Sequence, residues 1–132
     1  MAILTPADVT KASEIDAAAA IRLIVKVFDE WALSVSERCS ILGIAARTYD
    51  SWRKDPPARL SRRDLEPIAY VFGIYEYAYS LFGNRENVLR FLRTERRERP
   101  FIGRTPLVTI TSGSAGDLYA VYQWMYAQAQ GL

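Results

Sequence analysis

Residues 34–54 read SVSERCSILGIAARTYDSWRK, and this stretch decides the fold class. Ser34 and Glu37 stand at the spacing of a capping box, where side chains and backbone N–H groups satisfy each other across a first helical turn, so a short helix opens there and runs to Leu42. Gly43 closes it, because a residue without Cβ takes the left-handed cap conformation at no steric cost. The chain restarts almost at once. From Ala45 to Lys54, Tyr49 and Trp52 lie three apart and can face inward together, which turns Ala46, Arg47, Asp50, Ser51, Arg53 and Lys54 outward. Two short helices joined by a tight glycine turn form the helix-turn-helix pattern. Cys39, four residues before Gly43, is small where the two helices approach, so a packing role is expected ahead of a reactive one.

In such a pair the second helix enters the DNA major groove with its first turns facing the bases. Arg47, Thr48 and Ser51 are the candidates for base edges, while Arg53, Lys54, Arg59, Arg62 and Arg63 would neutralise phosphates and make binding salt-dependent. Helix pairs with a glycine turn also serve as plain scaffolding, and Asp50 would oppose phosphate, so the scaffold reading stands beside the DNA reading.

Outward from this stretch the pattern is helical throughout. Upstream, Ala17, Ile21, Ile24, Val25, Phe28 and Trp31 recur at three- and four-residue steps and predict an amphipathic helix from Glu14 to Trp31. Thr5-Pro6-Ala7-Asp8 has the cap and proline of a short N-terminal turn. Downstream, Asp55-Pro56-Pro57 ends the recognition helix. Ser61 with Asp64 caps the next, with Leu60 and Leu65 placed as a hydrophobic staple. Pro67 in its second turn predicts a kink or a late start, and Gly73 an interruption. Ile74, Ala78, Leu81 and Phe82 then carry an apolar face until Gly83, and Asn84 caps a further helix through Val88, Leu89, Phe91 and Leu92. The stretch from Thr94 to Gly103 reads as a loop too polar to pack. Thr105-Pro106 opens a brief helix that its β-branched residues keep to a turn or two. No strand-like alternation appears.

The last helix opens at Ser114 with Asp117. Leu118, Val121, Tyr122, Met125 and Ala129 form one apolar arc, which is ordinary core patterning. Tyr119 and Tyr126 flank the arc on one side and Trp124 on the other, and the polar positions are mainly Gln123, Gln128 and Gln130. A helix this apolar needs its flanks covered, by its own fold, by a second copy, or by a partner.

Composition narrows the function. With 132 residues, half of them apolar, the chain can bury one core or two small ones sharing an interface. The chain has no histidine and a single cysteine; no paired carboxylates or glycine-rich phosphate loop appear, so neither an enzyme, a metal site nor a cofactor is expected. No charged-then-apolar leader or long uncharged run marks export or a membrane span, and a cytoplasmic protein is expected. Net charge is +2, but residues 47–63 and 90–104 are basic, and no basic residue follows Arg104. A basic middle and a neutral aromatic end suit two different partners.

Taken in order, Leu42-Gly43-Ile44 through Thr48-Tyr49 and Trp52-Arg53, Leu60-Ser61 with Asp64, Leu81-Phe82, the segment Phe101-Ile102-Gly103-Arg104-Thr105-Pro106-Leu107, and Leu118 through Val121 to Gly131 resemble the Xre/MbcA/ParS-type antitoxins. The resemblance covers most of the chain from about Trp31 onward. It departs from the family's usual residues at Pro67, at Glu95-Arg96-Arg97 and at Tyr122.

The resemblance implies an all-α chain, with an Xre-like helix-turn-helix bundle over residues 1–72 and a small helical toxin-binding and dimerisation domain over 73–132. It implies a type II antitoxin that forms a homodimer, binds its own operator DNA, and occludes the active site of a RES-domain toxin that consumes NAD or transfers its ADP-ribose. Tyr119, Tyr122, Tyr126, Gln130 and Leu132 would then contact the toxin, with Arg104 either reaching it or bracing its loop against the preceding helix. A stand-alone helix-turn-helix repressor is the alternative.

Overall fold

The computed structural model describes residues 5–6 and 15–131 of the chain. The expected turn at Thr5-Pro6-Ala7-Asp8, the proposed helix start at Glu14 and the contact residue Leu132 lie wholly or partly outside them. Among the described residues there are seven helices and no strand.

Helix α1 (Ala17–Glu30) begins where the Asp16 carboxylate accepts the Ala19 N–H at 3.1 Å. Ile21, Ile24, Phe28 and Trp31 are buried as the spacing requires, while Val27 takes the core position expected of the half-buried Val25. Its exit is tied by the Leu33 N–H to the Phe28 carbonyl at 3.1 Å, with Ala32 at φ 56° in the place glycine usually fills. Helix α2 (Val35–Leu42) carries the full capping box: Ser34 N–H donates to Glu37 Oε1 at 2.7 Å, and Glu37 N–H to Ser34 Oγ at 3.1 Å. Gly43, at φ 67°, donates to the Cys39 carbonyl at 2.8 Å and turns the chain into α3 (Ala46–Lys54).

Helix α4 (Arg62–Phe82) is the spine of the molecule. It begins where Ser61 caps it, with no late start, and Pro67 is accommodated inside it. Nor does Gly73 interrupt it. A Cβ at that position would stand 2.3 Å from the Tyr122 ring, so the glycine is there because another helix lies against the backbone. Residues 72 and 73 are thus consecutive residues of one helix. At its end Leu81 is exposed rather than core, while the next residue, Phe82, stacks on Phe91 with ring centroids 4.8 Å apart, and Gly83 caps the helix at φ 84°.

Helix α5 (Arg85–Leu92) starts on the Asn84 cap, and α6 (Pro106–Ile110) on Thr105 with Pro106 at its first position. Helix α7 (Ala115–Ala129) packs along α4 more extensively than any other pair of helices meets. One continuous apolar core runs from Ile21 in α1 and Trp31 at its C-cap through Tyr49 and Trp52 in α3 and Ile68 and Ile74 in α4 to Val121 and Met125 in α7. The stretch 94–103 does pack, contrary to its polar composition. Phe101 is fully buried against Trp124 and Phe91, with ring centroids 5.1 and 6.4 Å away, and Arg96 lies over Trp124 at 5.0 Å. Arginine stems and planar guanidinium groups cover aromatic surface while remaining partly solvated, which a residue-by-residue polarity reading misses.

Candidate nucleic-acid and partner interfaces

Tyr49 and Trp52 anchor α3 to the core and thereby fix which side faces out. At 100° per residue the outermost positions are Arg47, Asp50, Ser51 and Lys54, all exposed. Asp50 carries its own counter-ion there, with Lys54 Nζ 3.1 Å from Asp50 Oδ2. Thr48 and Arg53 fall to the two sides of this face. Thr48 is half-buried, and the Arg53 guanidinium lies over the Tyr49 ring at 5.8 Å.

Arg38 locks the helix pair in place, a role the sequence reading did not assign. It donates to the Leu33 carbonyl at 3.0 Å and to the Tyr49 hydroxyl at 3.1 Å, and pairs with Asp29 at 2.9 Å. One guanidinium therefore joins α1, the turn after it, α2 and α3. Such bridging of three helices has no local sequence signature. Cys39 is partly buried against the core, and burial pushes its thiol pKa up, which disfavours the reactive thiolate and suits the packing role.

Arg59, Arg62 and Arg63 are exposed beside the first turn of α4, and none forms an ion pair with a described residue. Cations at a helix N-terminus lie against the positive end of the dipole, so this cluster gains by recruiting an anion. A groove of about 540 Å³ runs from Gly43 past Arg63 and Tyr70 to Ser114 and Tyr119. Its lining brings Arg63 of that cluster, together with the acids Asp64 and Glu66, to the same surface as Tyr119 of α7.

The α4–α7 seam is lined by five tyrosines. Tyr70 meets Tyr119 and Tyr122 at 5.3 and 5.2 Å, and Tyr77 meets Tyr122 and Tyr126 at 6.1 and 5.8 Å. Tyr119 and Tyr126, at 42% and 45% exposure, form the open rim. Tyr122 is different: half-buried on Gly73, its phenol is pushed up to about 12, first by burial and then by the neighbouring Tyr77 hydroxyl. It supports the rim instead of extending it. Tyr70 and Tyr77 were missed, although their seven-residue spacing on one helix places them on one face.

Gln130, itself the C-cap residue of α7, is exposed at the end of the helix. Trp124, on the opposite flank, is covered by the chain itself, stacked on Phe91 at 5.8 Å. Arg104 turns inward: it donates to the Phe101 and Pro100 carbonyls at 3.0 Å each and pairs with Asp117 at 3.2 Å. In this geometry it braces its loop, but against the start of the following helix α7 and not against the preceding helix. Asp117 also accepts from the Ser112 hydroxyl at 2.8 Å, and these two bonds hold its carboxyl below the ordinary carboxylate range.

Among the described residues, no group of three or more His, Cys, Asp or Glu side chains converges as a metal site would need, and no helix is long and apolar enough to cross a membrane.

One family model matches the N-terminal half, and one relative matches over most of the chain. Residues 11–73 match the family described as the antitoxin Xre-like helix-turn-helix domain. The chain is also 28% identical over 107 residues to the uncharacterized protein y4oB of Sinorhizobium fredii (strain NBRC 101917 / NGR234), covering 80% of this chain and 81% of that protein. The fold is all-helical with an N-terminal Xre-like helix-turn-helix domain, and the match supports a DNA-binding antitoxin or repressor of the Xre type.

Proposed function

We propose, from the Xre-like helix-turn-helix domain as premise, that the chain is a type II antitoxin whose two halves have separate partners. Residues 1–72 read operator DNA as a homodimer, with Arg47, Ser51 and Lys54 facing the groove and Arg59, Arg62 and Arg63 the phosphates. Two half-sites supply the affinity that one short recognition helix lacks. Residues 73–132 dock a RES-domain toxin that consumes NAD or transfers its ADP-ribose, and the end of α7 covers the toxin's active site. The chain acts in the cytoplasm, by binding and without turnover.

The observation that carries the toxin-binding half is the open tyrosine rim. Tyr119 and Tyr126 stay exposed while the other large aromatics of α7, Tyr122 and Trp124, are partly buried against the chain's own core, and large amphipathic rings of this kind dominate interface cores. The operator half rests on the domain match together with an outward α3 face whose acid is already paired.

Co-expression with the neighbouring reading frame tests both halves, scored by growth and cellular NAD. The intact chain should restore both, and a chain truncated after Tyr126 should restore neither while still binding operator. Full neutralisation by the truncated chain would overturn occlusion by the tail. If no complex co-purifies and neither the intact nor the truncated chain alters growth or NAD, the chain is a stand-alone repressor.

A further inference from the structure

The loop between α5 and α6 is held as a rigid tip by its own polar network. Its neck is closed by the Arg96 N–H on the Arg104 carbonyl at 3.1 Å and the Gly103 N–H on the Arg96 carbonyl at 2.7 Å. Phe101 anchors it from beneath, and Arg104 ties its Pro100 and Phe101 carbonyls to Asp117 at the start of α7. Arg96 is itself locked, donating to both carboxylate oxygens of Glu98 at 2.9 and 3.0 Å. Arg96 and Arg104 are therefore consumed by the loop's own architecture, and Arg93 at its start donates to the Trp31 carbonyl at 3.2 Å. The other two, Arg97 and Arg99, are exposed and form no ion pair or side-chain hydrogen bond with a described residue.

Beside them stands Ile102, 67% exposed at φ 52°. A β-branched side chain in the left-handed region is strained, and at this exposure packing returns nothing to offset it in the free chain. An apolar side chain fixed on a hydrogen-bonded tip, with two arginines on the same tip that pair with no described residue, needs little backbone ordering to bind, which is what preorganisation contributes to affinity.

We infer that the tip over residues 97–102 is a protein-docking epitope for an acidic surface with an apolar socket. Arg97 and Arg99 pair with the carboxylates of that surface, and Ile102 fills the socket. Resting on the function proposed above, its occupant is the toxin. The tip leans on α7 from the Trp124 flank and the tyrosine rim lies on the other flank, so one partner would straddle the helix. The tip supplies the charge that α7 lacks after Arg104, and charge of this kind acts mainly on the association rate.

The test uses the full chain and the purified product of the neighbouring reading frame, with association and dissociation rates measured across salt concentrations. Arg97→Glu with Arg99→Glu should slow association tenfold or more at low salt and flatten its salt dependence. Ile102→Asn should speed dissociation about tenfold without lowering Tm, since asparagine tolerates the left-handed region. Tyr126→Ala serves as the reference on the opposite flank. If the wild-type chain forms no complex, this inference and the proposed function fall together. If Tyr126→Ala weakens the complex while both tip variants bind as wild type at every salt, the tip inference alone is overturned. It is equally overturned if the charge reversal acts instead on operator affinity, or if Ile102→Asn only dissolves a self-associated form in sedimentation, because the tip then belongs to DNA or to a second copy.

Discussion

Two residues show how much one Cβ decides. Ala32 closes α1 at φ 56°, where an L side chain is strained, and it is exposed, so its methyl group returns little. Ala32→Gly should raise stability by about 0.5 kcal/mol in urea unfolding, the relief of strain outweighing glycine's extra unfolded-state entropy. Gly73 is the opposite case. Gly73→Ala would drive a Cβ into the Tyr122 ring and should cost about 2 kcal/mol, as overpacking at a tight helix contact does. The same unfolding experiment distinguishes it from a helix-propensity effect, which would make alanine the better residue.

At the scale of the element, α7 is held at its start by a carboxylate and along its length by a phenol, and the two give opposite pH responses. Asp117 has its pKa lowered by Ser112 and Arg104, so its stabilisation is complete above the unfolded value near pH ~4 and is lost as pH falls through the folded one. Tyr122 has its pKa raised to about 12, so its contribution is complete below the unfolded value near ~10 and is lost as pH rises from there towards 12. Urea midpoints across pH should therefore decline at both ends. Asp117→Asn should flatten the acid limb and Tyr122→Phe the alkaline one.

Helix α3 has its own electrostatic prediction. The exposed Asp50–Lys54 pair is worth only about 0.3–0.5 kcal/mol to folding. Asp50→Asn should barely move Tm, yet it frees Lys54 and removes an anion facing phosphate. Operator affinity should rise severalfold and its salt slope steepen by about 1. An unchanged slope would place α3 away from the DNA backbone.

For the whole molecule the consequence lies in α4, which passes unbroken from the helix-turn-helix to the tyrosine seam. Surface changes should separate the two activities, and core changes should not. Arg47→Ala with Lys54→Ala should abolish operator binding and spare neutralisation, whereas truncation after Tyr126 should do the reverse. Gly73→Ala should weaken both in proportion to its loss of stability, because the shared spine leaves no independent fold to survive. Retention of either activity at full strength in a destabilised Gly73→Ala chain would mean that the halves fold apart.

The side-chain N-caps Ser34, Ser61, Asn84, Thr105 and Ser114 and the inward pair Tyr49 and Trp52 were all legible in the chain alone, because caps and helical periodicity act over three or four residues. The same local range explains the misreadings. What makes Gly73 a helix contact and not a break is Tyr122, 49 residues later; Pro67, whose position predicts a kink or a late start, lies inside a helix that starts at its Ser61 cap. The loop carrying Arg96 looked unpackable until Trp124 was seen beneath that guanidinium. Arg104 and Trp124 could have faced a partner as far as spacing tells, and only tertiary contact turned them inward and left Tyr119 and Tyr126 outside. Local backbone chemistry settles which elements form, but which of their faces stay open is settled by side chains far apart in sequence competing for the same buried space.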